Sequence, residues 1–122
     1  MRILVISDIH ANYTALEAVL KDAGAVDETW CLGDMVGYGP DPNAVVEEIR
    51  DIPNLTCILG NHDMAVIGKI PMEAFNGDAR RALEYHEKVL SASNMDFLRA
   101  LPHNLKVRGE VSLVHGSPRD SV

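Results

Sequence analysis

Four short polar clusters in this sequence carry residue types that bind metal ions, and each follows an apolar run. Asp8-Ile9-His10 follows Ile3-Leu4-Val5-Ile6-Ser7, and Gly33-Asp34 follows Trp30-Cys31-Leu32. Gly60-Asn61-His62-Asp63 follows Leu55–Leu59, and His115-Gly116 follows Val111–Val114. Aspartate, asparagine and histidine offer oxygens and imidazoles and no thiolate. That set suits Mn, Fe, Zn, Ni or Co rather than a structural cysteine–zinc site. One carboxylate, Asp34, can bridge two ions ~3.5–4 Å apart, the spacing of two-metal hydrolases. Asp8 and His10 stand two apart, so on an extended segment both point to the same side. Gly33, Gly60 and Gly116 permit the tight turns that aim these side chains.

The apolar runs read as the elements that position the clusters. Ile3–Ile6 is a short continuous run, the pattern of a strand buried on both faces in a parallel sheet. Asn12 caps a helix with Leu16, Val19, Leu20 and Ala23 on one face, and Gly24 ends it. Glu28–Leu32 is a second strand. Pro40-Asp41-Pro42 opens a second helix, with Val45, Val46 and Ile49 inward. Pro53-Asn54 breaks it, and Leu55–Leu59 is a third strand. This β-α-β-α-β order with short connections predicts an α/β layer sandwich. Met72–Ala100 is helical, with Ala82, Leu83, His86, Val89 and Leu90 on one side. Ser91–Asn94 breaks it, and Ser93 or Asn94 caps a second helix through Leu101, closed by Pro102. Leu105–Val107 and Val111–Val114 flank Arg108-Gly109-Glu110 as a hairpin. If the strands are parallel neighbours, all four clusters converge where ligands bind in open α/β sheets, at the strands' carboxyl ends.

Composition narrows the partners. The chain has 122 residues, enough for one domain or part of one. Its 11 lysines and arginines against 18 aspartates and glutamates leave a net charge of −7. Such a chain has no strong electrostatic signal for nucleic acid or an anionic membrane. An anionic substrate would need local positive charge, such as bound metal ions. No apolar run reaches the ~20 residues that span a bilayer. Cys31 and Cys57 form no CxxC pair and read as reduced thiols and small core residues of a cytoplasmic protein.

Taken in series, Asp8-x-His10, Gly33-Asp34-x-x-Gly37, Gly60-Asn61-His62-Asp63 and Val114-His115-Gly116 resemble the calcineurin-like metallophosphoesterases. Gly33–Pro42 is similar to the small prokaryotic phosphodiesterase and phosphatase branch. The resemblance implies a layered α/β sandwich and hydrolysis of a phosphoester, mono or di, by a dinuclear centre with a metal-activated water. It implies that Asp8, His10 and Asp34 hold one divalent ion and that Asp34, Asn61 and His115 hold the second. His62 would be the catalytic residue, stabilising the transition state or protonating the leaving oxygen. Asp63 would orient backbone or His62. Protein-phosphatase relatives carry Asp-Arg where this chain has Gly37-Tyr38, which argues against a phosphoprotein phosphatase. The family's later Gly-His-x-His motif is absent before Val122. Residues 1–122 therefore read as the N-terminal portion of the domain, truncated, with a helical segment at 72–101. Weak metal binding, low activity and a homodimer through an uncovered sheet are the expectations for such a portion.

Plainer readings stand beside these. Asp8 and His10 can be a turn aspartate and a helix-capping group, Asp34 an Asx-turn, and Asn61 and His62 loop residues bonding backbone. Tyr38 lines a substrate site or packs on its turn. His86 reads as a surface or partly packed helix residue, His103 as a loop residue, and Arg80 and Arg81 as solvated. The functional alternative to an enzyme is a non-catalytic metal-binding or interaction module that keeps the fold. A Rossmann-type nucleotide binder is disfavoured, because no Gly-x-Gly-x-x-Gly follows the first strand.

Overall fold

The computed structural model describes residues 1–107 and 111–115. Three strands, β1 (Ile3–Ile6), β2 (Glu28–Cys31) and β3 (Leu55–Cys57), form a parallel sheet in the order β1-β2-β3. Ile6 pairs with Cys31 and Cys31 with Cys57, so the three strands end level with one another. The loops that follow them therefore leave the sheet along a single edge.

Helix α1 (Tyr13–Ala23) is capped by Asn12, whose side chain accepts the Ala15 N–H. Gly24, at φ 66°, ends it in a conformation that costs a residue without Cβ little. Helix α2 (Pro42–Arg50) starts on a proline whose missing N–H would have been unpaired anyway. Its Val45, Val46 and Ile49 are fully buried. A short α3 (Asn61–Val66), a 3₁₀ turn (Met72–Ala74), α4 (Gly77–Val89) and α5 (Ala92–Arg99) follow. Helix α2 packs on α1, α4 and α5, and α3 packs on α4. Side chains from these helices meet Ile6, Cys31 and Cys57 in the main core.

Strands β4 (Asn104–Val107) and β5 (Val111–Val114) pair antiparallel as a sheet of their own. Adjacent residues of a strand face opposite sides, so Trp30 points away from the core that holds Cys31. Leu113 of β5 packs on Trp30 and Ile58 there, with Ile3, Leu32 and Val107 around them. The hairpin is thus a second layer over β2. This arrangement matches the expected layered α/β sandwich, but β5 is not a parallel neighbour in the first sheet.

Several local expectations are corrected. Strand β1 is an edge strand and not buried on both faces; Val5 is 51% exposed. Strand β3 stops at Cys57, because the Leu59 N–H turns to the Pro102 carbonyl (2.8 Å). Cys31 and Cys57 therefore end their strands, as buried free thiols. Val19 is 46% exposed and lies outside the inward face of α1. Helix α5 is capped by Ser91, whose Oγ accepts the Asn94 N–H (3.2 Å), and not by Ser93 or Asn94. The Asn94 side chain is instead buried against α2, accepting from Arg50 and donating to Asn43 and Glu47. The expected turn Arg108-Gly109-Glu110, Gly116 and residues 117–122 lie outside the described residues. Among the described residues no helix is long and apolar enough to cross a membrane.

Candidate functional site

Three loops cross at the carboxyl edge of the parallel sheet. The loop after β1 is tied to the loop after β2 by backbone bonds. Asp8 N–H donates to Gly33 O (3.0 Å), His10 N–H to Asp34 O (2.9 Å) and Ala11 N–H to Met35 O (2.8 Å). The segment is not extended as expected. Asp8, His10 and Ala11 all have positive φ, as do Asp34 and Tyr38. Left-handed non-glycine residues carry strain that surrounding contacts must hold, and such residues cluster at functional sites. Even so, the curled loop brings Asp8 Oδ1 within 3.4 Å of His10 Nε2.

The loop after β2 meets the loop after β3 at Gly33 and Gly60. A Cβ on Gly33 would stand 2.2 Å from the Gly60 nitrogen, and Gly33 has φ +95°. Only glycine lets these backbones touch. From there Asn61 opens α3, directly after Gly60 and before His62. Asp63 occupies the third helical position and is fully buried. Its carboxylate accepts four backbone N–H bonds: Asp34 (2.7 Å) and Gly60 (3.0 Å) on Oδ2, Met35 (2.9 Å) and Val36 (3.2 Å) on Oδ1. Burial lifts its pKa to about 7, while the N–H donors pull the other way. Asp63 is thus the peg that shapes the loop carrying Asp34.

Asp34 is the centre of the cluster and is 3% exposed. Its Oδ1 accepts the His62 N–H (3.0 Å). Its Oδ2 faces His115 Nε2 at 3.1 Å and His10 Nε2 at 3.7 Å. Burial raises the Asp34 pKa, opposed by the His62 N–H and by His115 and His10. Burial also pushes Asp8 upward, but the Ser7 hydroxyl, then His115 and His10, outweigh it and leave its pKa lowered. The other nitrogens of both histidines are anchored. His10 Nδ1–H donates to Val36 O (3.0 Å) and His115 Nδ1–H donates to Leu32 O (2.9 Å). A carbonyl oxygen can only accept, so Nδ1 carries a proton in each ring and Nε2 is the nitrogen turned to Asp34. Two sets of potential ligand atoms lie within 4.8 Å of one another: His10, Asp34 and His62, and Asp8, Asp34 and His115. Asp34 belongs to both.

His62 is 6% exposed, and its Nδ1 has no hydrogen-bond partner among the described residues. Its ring lies between His10 (4.8 Å), Phe75 (5.0 Å) and Tyr38 (5.2 Å). Burial, then the charges of His10 and His115, lower its pKa to about 4. Tyr38 is 54% exposed, with its ring also 5.2 Å from His10. Arg80 pairs with Glu73 and Glu84, and Arg81 with Asp78, away from the cluster. His103 is exposed in the segment before β4.

His86 corrects an expectation. It is 1% exposed, and both ring nitrogens bond the loop after β2. Nδ1 accepts the Gly37 N–H (3.0 Å) and Nε2–H donates to Gly39 O (2.7 Å). The available signal was its position between Leu83 and Leu90, a polar ring on the apolar stripe of α4.

A family profile described as calcineurin-like phosphoesterase matches residues 1–121. An uncharacterized protein of Methanocaldococcus jannaschii is 42% identical over 123 aligned residues, covering 96% of this chain and 50% of that protein. The crystal structure of a metallophosphoesterase from Sphaerobacter thermophilus superposes with a TM-score of 0.83 at 49% identity, covering 100% of this chain and 49% of that one. A symmetrical bis(5'-nucleosyl)-tetraphosphatase of Photorhabdus laumondii is 35% identical over 72 residues, 56% of this chain and 26% of that protein. The chain thus spans about half the length of the first two, 50% and 49%.

Proposed function

The chain belongs to the calcineurin-like phosphoesterase family, and on that premise we propose that the whole protein hydrolyses a phosphoester with two divalent ions held at the Asp34 cluster. The observation that carries this reading is the shared aim of His10 and His115. Each ring is anchored through Nδ1–H on a carbonyl, and each turns its Nε2 toward Asp34 Oδ2. A divalent cation seated beside the carboxylate would meet both imidazoles and Asp34 as ligands. Metal-ligating histidines characteristically donate their other N–H in this way. The donor set therefore fits divalent cations of the Mn, Fe, Zn, Ni or Co type.

Asp8, His10 and Asp34 would hold one ion, and Asp34, Asn61 and His115 the second. Proximity groups Asp8 with His115 as well, and Asp34 is the shared ligand in either partition. When bound, such ions supply Lewis acidity, drawing charge from phosphoryl oxygens and making water a nucleophile near neutral pH. The remaining work falls to side chains. His62, neutral at pH 7 because its pKa is about 4, donates a hydrogen bond to a phosphoryl or leaving-group oxygen. Asp63 fixes the backbone of residues 34–36 so that Asp34 does not swing away. Tyr38 forms the exposed wall beside His10 and His62. The free thiols Cys31 and Cys57, adjacent in register, fit a reducing compartment, and we assign the protein to the cytoplasm.

The test is metal analysis of the 122-residue chain and of a longer form. Hydrolysis of bis(4-nitrophenyl) phosphate and 4-nitrophenyl phosphate is measured with added Mn. A bis(5'-nucleosyl) tetraphosphate is the natural substrate to try first, because a relative carries that activity in its name. Metal-dependent turnover by the longer form supports the proposal. Failure to bind any divalent ion overturns it. Metal binding without turnover in any form favours the non-catalytic metal-binding module.

A further inference from the structure

The backbone at Tyr38 is held in a conformation that tyrosine rarely adopts. Its φ is 66°, and the Gly39 N–H donates back to Gly37 O (2.8 Å) across it. That is a three-residue γ-turn of the positive-φ kind, which is rare and strained. Strain of this sort persists only where neighbours over-determine it. The Gly39 N–H also reaches His10 O (2.9 Å). The larger restraint comes from α4. The buried His86 ring accepts from the N–H at one end of the turn and donates to the carbonyl at the other. Its position in the helix interior leaves it little freedom to follow the loop if the loop relaxes. The ring presented by the turn is half exposed, yet it meets two of the three histidines of the cluster, His10 edge-on and His62 at a tilt.

We propose that His86 is a positioning residue of the site: by clamping both ends of the Gly37–Gly39 turn it holds the Tyr38 ring against His10 and His62. His86 bonds neither His10 nor His62 nor Asp34; it acts through the Gly37–Gly39 turn, whose Gly39 N–H meets His10 O and whose Tyr38 ring meets both histidines. The helical segment thereby becomes part of the site, since α4 fixes the wall that a substrate must pass. The assignment rests on the phosphoester reading only for its activity arm.

The experiment uses the 122-residue chain, labelled for NMR, as wild type, His86→Phe, His86→Gln, Tyr38→Ala and Tyr38→Ala/His86→Phe. In the wild type the Gly37 amide should be protected from exchange, and the Tyr38 ring should show cross-peaks to His10 and His62. His86→Phe keeps the bulk and loses both bonds, so Gly37 exchange should rise about tenfold or more and the cross-peaks should fade. His86→Gln can still donate to Gly39 O and should restore part of both signals. In the activity arm, with Mn and bis(4-nitrophenyl) phosphate, His86→Phe should lower kcat about tenfold in the wild-type background and have no further effect in Tyr38→Ala. The proposal is overturned if Tyr38 keeps its contacts in His86→Phe. It is equally overturned if the wild-type Gly37 amide exchanges as fast as exposed loop amides, a measurement that needs no variant to fold. An equal loss of kcat in both backgrounds also overturns it. If the 122-residue chain turns over no substrate, the activity arm is run on the longer form, whose inactivity would count against the phosphoester reading, and the NMR arm still decides the role of His86.

Discussion

The Asp63 carboxylate accepts the backbone N–H of Asp34 at 2.7 Å, and both residues are buried. A residue in the first turn of α3 thus dictates the path of a loop on the neighbouring strand. Three further N–H groups, from Gly60, Met35 and Val36, converge on the same carboxylate. The arrangement needs an acceptor on both oxygens.

Asp63→Asn should therefore destabilise the fold. Asparagine keeps one acceptor oxygen and turns an NH₂ toward N–H groups that have no other partner. Leaving two buried donors unpaired costs about 1–3 kcal/mol each, so a loss of about 2–6 kcal/mol is expected. Urea denaturation measures it, and a change below about 1 kcal/mol would show that the peg is dispensable.

Gly60→Ala should disturb the cluster without altering its donor set. A Cβ there would lie 2.2 Å from Asp34 Oδ1 and 2.5 Å from the Asp34 nitrogen. Asp34 must shift, and Mn affinity should fall on the order of 10–100-fold, as for loss of a group that orients a ligand. Asp34→Asn should reduce it more, since it removes the charge shared by both groups of ligand atoms. Mn titration followed by EPR compares them; wild-type affinity in Asp34→Asn would remove Asp34 from the ligand set.

His62→Ala in an active, longer form should slow turnover by about 10²–10⁴-fold. Metal stoichiometry should stay unchanged, because the role assigned to His62 is donation to substrate oxygen. Loss of metal in this variant would reassign it as a ligand, a role compatible with its proximity to His10 and Asp34.

Acid should selectively weaken the His86 clamp. Burial lowers its pKa below the ordinary 6.5, partly opposed by the bond to Gly39 O. The titratable groups near it are Tyr85 on its own helix and His62 on α3. Because the folded value is the lower one, the unfolded chain takes up the proton first as pH falls. The contribution of His86 is complete above about 6.5 and is lost below it, toward the folded value. The stability of wild type minus that of His86→Phe should narrow between about pH 7 and about pH 5. Denaturation curves at both pH values give the difference; widening toward acid would contradict a neutral His86. The subtraction matters because Asp34 and Asp63, both raised, act with the opposite sign in both proteins.

The three parallel strands and the helices between them were legible in the sequence because their signals are local. Short apolar runs, Asn12 and Gly24 at the ends of α1, and proline at the start of α2 act within a few residues. The strands also end at polar clusters, and level strand ends put those clusters on one edge. That edge brings Asp8, His10, Asp34 and His62 together as the sequence reading expected, whereas His115 reaches Asp34 from β5, outside that sheet.

What tertiary structure decided depends on contacts between distant segments. Apolar alternation in β5 is the same whether the strand pairs with the first sheet or lies over it; packing of Leu113 on Trp30 and Ile58 selects the second layer. The extended reading of Asp8-x-His10 failed because backbone bonds to residues 33–35 impose left-handed turns that no local preference favours. Ser91 displaced Asn94 as the cap of α5 because the Asn94 amide found partners on α2. His86 looked like an ordinary helix residue, since its two partners, Gly37 and Gly39, are backbone atoms of another segment. Backbone donors and acceptors are the same in every residue but proline and leave no mark on a sequence, so only the folded chain reveals which side chain they recruit.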